Sequence, residues 1–143
     1  MEYHLALKTA FASEYAFALK AQNFHWNCEG PIFYQLHLLF ERIYDEVYGS
    51  IDQFAEEIRA LQVYTPASYS KFSMLTQVED ENGIPNWSGM LTELLADSDK
   101  MAEMFRILFD MAEANGDHGL SNFLADRQDA HKKHSWMLRS SLK

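Results

Sequence analysis

The sequence predicts an all-α protein built as a ferritin-like four-helix bundle, with a short extra helix in the connection between the second and third long helices. Most glycines and prolines are concentrated at four places, Gly30-Pro31, Pro66, residues 83–85 and residues 116–119, where they interrupt regular structure. Between these breaks, apolar residues recur every three or four positions and β-branched residues are few, which is typical of amphipathic helices. Four long helices of this kind pack as a bundle.

The first two helices are the most clearly marked. The first is predicted over roughly residues 2 to 27 and ends before Gly30. Pro31 suits the first turn of the second helix, because the missing N–H costs nothing there. The second helix carries one continuous apolar stripe, formed by Leu36, Phe40, Ile43, Val47, Ile51, Phe54, Ile58 and Leu61.

The second half of the chain contains one short and two long helices. The short helix is predicted from near Pro66 to about Leu75, and an acidic loop follows it. The third long helix runs from about residue 87 to 114, and Asn115-Gly116 is a natural stop. Asp117 can cap the fourth long helix, which extends to about residue 142. Residues 1–143 are expected to form a single domain.

Composition narrows the classes of function. The 143 residues include 12 Lys and Arg against 21 Asp and Glu, a net charge of −9, whereas a duplex-binding surface is normally basic. No apolar run is long enough to span a membrane, and the N-terminal residues lack the pattern of a secretory signal. Cys28 is the only cysteine, which fits a reducing compartment. We therefore expect a cytoplasmic protein that does not bind DNA or membranes.

A set of metal-ligating residue types lies beside the apolar stripe of the second helix. His37, Glu41, Asp52 and Glu56 share one arc of about 100° when the helix is placed on a wheel. His37 and Glu41 are four residues apart, as are Asp52 and Glu56, so each pair projects from one face. Imidazole and carboxylate together suit iron or zinc.

The two pairs are too far apart along the helix to bind the same ion within one chain. His37 and Asp52 are 15 positions apart in the sequence, about 22 Å along a helix, whereas metal–ligand bonds are about 2 Å long. Either the chain has two half-sites, or a second copy supplies the missing half. A twofold axis near residues 44 and 45 would place His37 of one chain opposite Asp52 of the other, giving two identical sites per dimer. His25 could join His37 across the Gly30-Pro31 turn.

The stretch NFHWNCEGPIFYQLH, the later DQFAEE on the same predicted helix, and HSWMLRSSL near the end of the chain together resemble the Dps family, the miniferritins of the ferritin-like superfamily. The resemblance covers essentially the whole chain in helix order and spacing. It implies a homo-oligomeric shell, typically a dodecamer, with ferroxidase sites at the twofold interfaces. Two Fe(II) ions per site would be oxidised by hydrogen peroxide, or more slowly by dioxygen, and the ferric product stored inside.

The resemblance also implies roles for individual residues. His25 and His37 would be metal ligands from one chain, and Asp52 and Glu56 ligands from its neighbour. Glu41 matches a position that carries an acid close to the metal or an added ligand. Trp26 matches a tryptophan beside the site that can donate an electron, although an aromatic plug at a helix end fits equally well.

Some features depart from the family pattern. Acids near the start of the last helix line entry pores in the family, and Glu113, Asp117 and Asp126 could serve, yet His118 and Asn122 interrupt the series. The inner-surface acids that nucleate mineral are replaced in part by Leu38 and Arg42, so oxidation is better supported than storage. Glu57 stands where the family usually has arginine, and no lysine-rich DNA-binding arm is visible.

Alternatives remain open at this stage. His131 and His134 are a metal pair by spacing, but they continue the inward stripe of the last helix, which favours buried, hydrogen-bonded histidines. Cys28 is interpreted as a packing residue rather than a redox sensor. No E-x-x-H motif occurs in the helices, which argues against a di-iron site within one subunit. A DNA-compacting protein and a purely structural helical oligomer are the competing functions.

Overall fold

The computed structural model describes residues 1–143 and contains five helices and no strand. The helices are α1 Tyr3–Asn27, α2 Phe33–Ala60, α3 Tyr69–Leu75, α4 Trp87–Ala114 and α5 His118–Ser141. The predicted all-α class is confirmed, and the short α3 lies in the connection between the second and third long helices. No helix is both long enough and apolar enough to cross a membrane.

The long helices pack as two pairs, α1 with α2 and α4 with α5, and contacts between α1 and α4 join the pairs. Apolar side chains from all four fill one core, because each helix turns its stripe inward. Seven of the eight stripe residues predicted in α2 are buried, and Leu61 is half-buried just beyond the helix end. The largest fully buried side chains include Phe17, Phe24, Phe40, Phe54 and Phe105.

Local capping decides where several helices begin and end. The observed range of α4 agrees with the prediction. The helix begins at Trp87 because the Asn86 side chain caps it, accepting a hydrogen bond from the Gly89 N–H at 2.8 Å. Two other starts were predicted too early. Pro31 lies in the turn before α2, and α3 begins at Tyr69 rather than near Pro66, because Ser68 caps its first turn.

The predicted capping role of Asp117 is wrong. Asp117 occupies the N-cap position of α5, but its side chain makes no capping hydrogen bond. Its carboxylate instead accepts a hydrogen bond from the Tyr3 hydroxyl at 2.8 Å. This hydrogen bond joins the start of α1 to the start of α5. Burial, together with the adjacent Asp117 carboxylate, raises the pKa of the Tyr3 hydroxyl. The final helix ends at Ser141.

Candidate metal centre

The turn between α1 and α2 brings two histidines together. His25 lies in the last turn of α1, and His37 lies in the second turn of α2. Gly30 adopts φ +127° between them, a conformation that residues with a side chain rarely adopt. A Cβ at Gly30 would also meet the Trp87 ring at 3.2 Å. Backbone freedom at one glycine therefore lets α2 fold back beside α1.

The two imidazoles hold each other in place through reciprocal hydrogen bonds. His25 Nδ1 lies 2.7 Å from the His37 carbonyl oxygen, and His37 Nδ1 lies 2.7 Å from the His25 carbonyl oxygen. A carbonyl can only accept, so each Nδ1 carries the proton and donates it. In the neutral rings each Nε2 consequently keeps its lone pair, which is the form that binds a metal ion.

The rings are stacked, and stacking limits how they can bind metal. Their centroids are 3.8 Å apart and their planes are tilted by only 13°. A nitrogen lone pair lies in the plane of its own ring, and two nearly parallel planes share no point close to both nitrogens. Each imidazole is therefore suited to its own ion.

Aromatic neighbours extend the stack on both sides. Phe33 lies against His37 with centroids 5.0 Å apart, and Tyr44 meets the His25 ring edge-on at 5.3 Å. His25 is only 8% exposed, whereas His37 is half-buried. Packing from both sides fixes the ring orientations before any ligand arrives, which lowers the cost of ordering them.

The predicted acids lie elsewhere on the same chain. Glu41 follows His37 by one turn of α2 and is half-buried, while Asp52 and Glu56 are exposed near the other end of the helix. Asp52 lines an open groove between α2 and α3 together with Tyr15 and Tyr48. Within one chain, no three His, Cys, Asp or Glu side chains are close enough to hold a metal ion.

Two further residues flank the histidine pair. Trp26, predicted as the electron donor, follows His25 directly and is 61% exposed, so it faces outward from a single chain. Cys28 is buried in the hydrophobic core, and burial raises the pKa of its thiol. This agrees with the interpretation of Cys28 as a packing residue, because a protonated thiol is a weak nucleophile.

The three predicted pore acids lie around the α4–α5 junction in different environments. Glu113 accepts a hydrogen bond from the Ser121 hydroxyl at 2.6 Å, and its other oxygen lies 3.2 Å from His118 Nδ1. Asp117 is engaged by Tyr3, as described above, and Asp126 is exposed on α5. Only Glu113 and Asp126 therefore present carboxylates without a long-range anchor.

Sequence reasoning missed a buried group of charged residues inside the bundle. His131 and His134 are indeed buried and hydrogen-bonded, but their partners are the carboxylates of Glu14 and Glu46. Arg127 is paired with both acids. Glu14 occurs among buried apolar residues of α1, and that inward position in the helical pattern is the one indication that the sequence offers.

Comparisons with known proteins agree on one family. Residues 5–143 match the ferritin-like domain family. A protein from Helicobacter pylori named DNA protection during starvation protein is 30% identical over 95% of both chains. The structure of Dps from Thermosynechococcus elongatus superposes with a TM-score of 0.95 at 27% identity, covering 99% of this chain and 90% of that one.

A second solved structure is also similar to this chain. The Dps protein from Vibrio cholerae O1 superposes with a TM-score of 0.93 at 27% identity, covering 99% of this chain and 89% of the other. It is described as a member of a broad superfamily of ferritin-like diiron-carboxylate proteins.

Proposed function

Because the chain belongs to the ferritin-like family and, within it, to the Dps family of miniferritins, we propose that it binds and oxidises Fe(II) at sites shared between two subunits. The single observation that supports this most directly is the reciprocal hydrogen bonding of His25 and His37. A pair of imidazoles whose Nδ1 protons are committed to backbone carbonyls has only its Nε2 atoms available, and these are metal-ligating atoms.

The proposed site takes its remaining ligands from a neighbouring chain. Asp52 and Glu56 are exposed on α2, four residues apart and therefore on one face. An isologous contact between two α2 helices would bring these acids to the partner's histidines and would build two identical sites. Glu41 lies one turn from His37, where it can add a further carboxylate.

The ligand types suit oxidation of iron as a substrate. Imidazoles bind Fe(II) moderately, whereas anionic carboxylate oxygens favour the harder Fe(III) ion. Two Fe(II) ions each give one electron to hydrogen peroxide, and with two protons the products are two Fe(III) ions and two waters. Dioxygen is the slower alternative oxidant. Trp26, next to His25 in sequence, is proposed to donate an electron when the iron ions do not fully reduce the oxidant.

The proposed function also requires an oligomeric shell and a compartment that supplies Fe(II). Twelve subunits would enclose a cavity that holds the ferric product, and Glu113, Asp117 and Asp126 would attract incoming cations near the α4–α5 junction. The unpaired Cys28 fits a reducing compartment such as the cytoplasm, where Fe(II) is the prevailing form. Zinc is a competing ion, because the same ligands accept it.

The test is the rate of iron oxidation in paired variants. Anaerobic Fe(II) is added to the protein, peroxide follows, and the ferric product is recorded by absorbance. The double variant His25→Ala/His37→Ala should lose the enhanced rate while keeping the oligomeric mass of the parent. His4→Ala, a histidine at the start of α1, is the matched control. An unchanged rate in the double variant would refute the site.

DNA compaction is the main competing function. The H. pylori relative is named for DNA protection, but the net charge of −9 disfavours contacts with phosphates. A gel shift at low salt without metal separates the two functions, since a DNA-binding protein retards plasmid under those conditions. A purely structural oligomer would give neither retardation nor accelerated oxidation.

A further inference from the structure

A second group of metal-ligating side chains lies inside the bundle, away from the histidine pair described above. Glu14 comes from α1, Glu46 from α2, and His131 and His134 from α5. Glu14 and His131 are fully buried, and His134 is 3% exposed. Two carboxylates and two imidazoles are a common ligand set for four-coordinate transition-metal ions.

A guanidinium occupies the centre of this group. Arg127 Nη2 lies 2.9 Å from Glu14 Oε2 and 3.1 Å from Glu46 Oε1, so one nitrogen bridges the two carboxylates. Arg127 also donates through Nε to Glu14 and through Nη1 to Glu46. Arg127 therefore neutralises part of the acidic charge of the group, and as placed in the structure the four side chains do not themselves form a metal-holding cluster.

The imidazoles already point a nitrogen at the acids. His131 Nε2 lies 2.6 Å from Glu14 Oε1, and His134 Nε2 lies 2.8 Å from Glu46 Oε1. His131 Nδ1 is 3.4 Å from the Ser98 hydroxyl oxygen, which can accept the ring proton when Nε2 binds a metal. The buried His134 Nδ1 has no hydrogen-bond partner. The ring can therefore reorient without breaking a hydrogen bond at Nδ1.

Charge favours a cation of higher valence than the one present. Arg127 donates hydrogen bonds to both Glu14 and Glu46, and such bonds favour the charged form of each carboxylate. One guanidinium brings a single positive charge to two carboxylates, whereas a divalent ion would balance both acids. The Glu46 side chain is 38% exposed, which gives ions a route from the surface.

We propose that Glu14, Glu46, His131 and His134 form an interior cation site that Arg127 fills with its own guanidinium. In this arrangement the Arg127 guanidinium takes the place between the two carboxylates that a metal ion would otherwise occupy. Removal of the guanidinium exposes a site for one divalent ion in each subunit. The inference does not depend on iron oxidation.

Cobalt binding tests the proposal. All variants are made in the His25→Ala/His37→Ala background, so that the first site does not contribute. Co(II) bound per chain is counted after equilibrium dialysis, and its visible absorption reports the coordination number. Arg127→Ala should retain one more Co(II) per chain than the background, with the spectrum of a four-coordinate ion. Arg127→Lys, which keeps a cation in the core, should retain no additional ion.

Further variants separate the interior site from adventitious binding. Adding His131→Ala to Arg127→Ala should remove the additional ion, whereas adding Lys132→Ala, an exposed neighbour, should not. If Arg127→Ala folds only with Co(II), as followed by circular dichroism, that dependence also supports the site. A folded Arg127→Ala chain without an additional ion, or a chain that stays unfolded with Co(II), would overturn the proposal.

Discussion

Replacing Glu46 by glutamine should destabilise the bundle at neutral pH and have progressively less effect in acid. The Glu46 carboxylate accepts hydrogen bonds from His134 and Arg127. Burial alone would raise the pKa of this carboxyl, but the two partners lower it to about 2. Glutamine keeps the shape of the side chain and removes the charge that both partners stabilise.

The size of the effect follows from that pKa. Lowering a carboxyl pKa from 4.5 to about 2 corresponds to about 3 kcal/mol of preference for the ionised form in the folded state. The Glu46 side chain is 38% exposed, and solvent screens part of the interaction, so the expected loss in Glu46→Gln is about 1–2 kcal/mol. Because the folded pKa lies below the unfolded value, this stabilisation is complete above pH 4.5 and disappears as the pH falls towards 2.

Urea unfolding at one fixed protein concentration, repeated from pH 7 downward, measures the difference between the parent and Glu46→Gln. Glu103→Gln on α4 is the control, since its carboxylate pairs only with exposed Arg106, and it should change stability little. Equal stability of Glu46→Gln and the parent at pH 7 would refute the reasoning. A deficit that stays constant down to pH 3 would refute it as well.

Three other substitutions give independent checks by the same unfolding measurement. Phe54→Ala removes a fully buried ring and should cost about 3–5 kcal/mol; a loss below 1 kcal/mol would contradict the packing. Tyr3→Phe removes the hydrogen bond to Asp117 and should cost about 0.5–1.5 kcal/mol, whereas Tyr64→Phe at an 81% exposed position should be neutral. Burial lowers the pKa of His134, so the parent should lose stability as the pH falls below 6.5, and His134→Gln should lack that part of the decline.

The pattern of apolar residues was sufficient to predict the helices, because periodicity and capping are local. The α2 stripe identified the buried face of that helix, and Asn115-Gly116 identified the end of α4. Errors arose where two local rules competed. Pro31 is compatible with a first helical turn, but the Gly30 conformation places it in the preceding turn instead.

Contacts between distant parts of the chain could not be read from the sequence. Glu14 and Arg127 are separated by 113 positions, and the sequence alone does not show that their charges will pair. An unpaired charge is expensive to bury, so the burial of either residue depends on a partner that the local pattern does not identify. Asp117 likewise fits a capping role until Tyr3 is known to lie beside it.

The candidate metal site was predicted in composition but not in geometry. Residue types and helical spacing selected His25, His37, Asp52 and Glu56. The reciprocal hydrogen bonds and parallel rings of the two histidines depend on the path of the intervening turn. The proposed pairing with acids of a second chain comes from the length of α2 and from family membership.

Mixing two inactive variants measures most directly whether each site is built from two chains. His25→Ala/His37→Ala and Asp52→Ala/Glu56→Ala are unfolded together in equal amounts, refolded, and assayed for peroxide-dependent Fe(II) oxidation. Each mixed twofold pair contains one site with every ligand and one with none, so random pairing should restore about a quarter of the parent activity. A mixture that forms oligomers of the parent mass but stays as inactive as either variant alone would contradict a shared site.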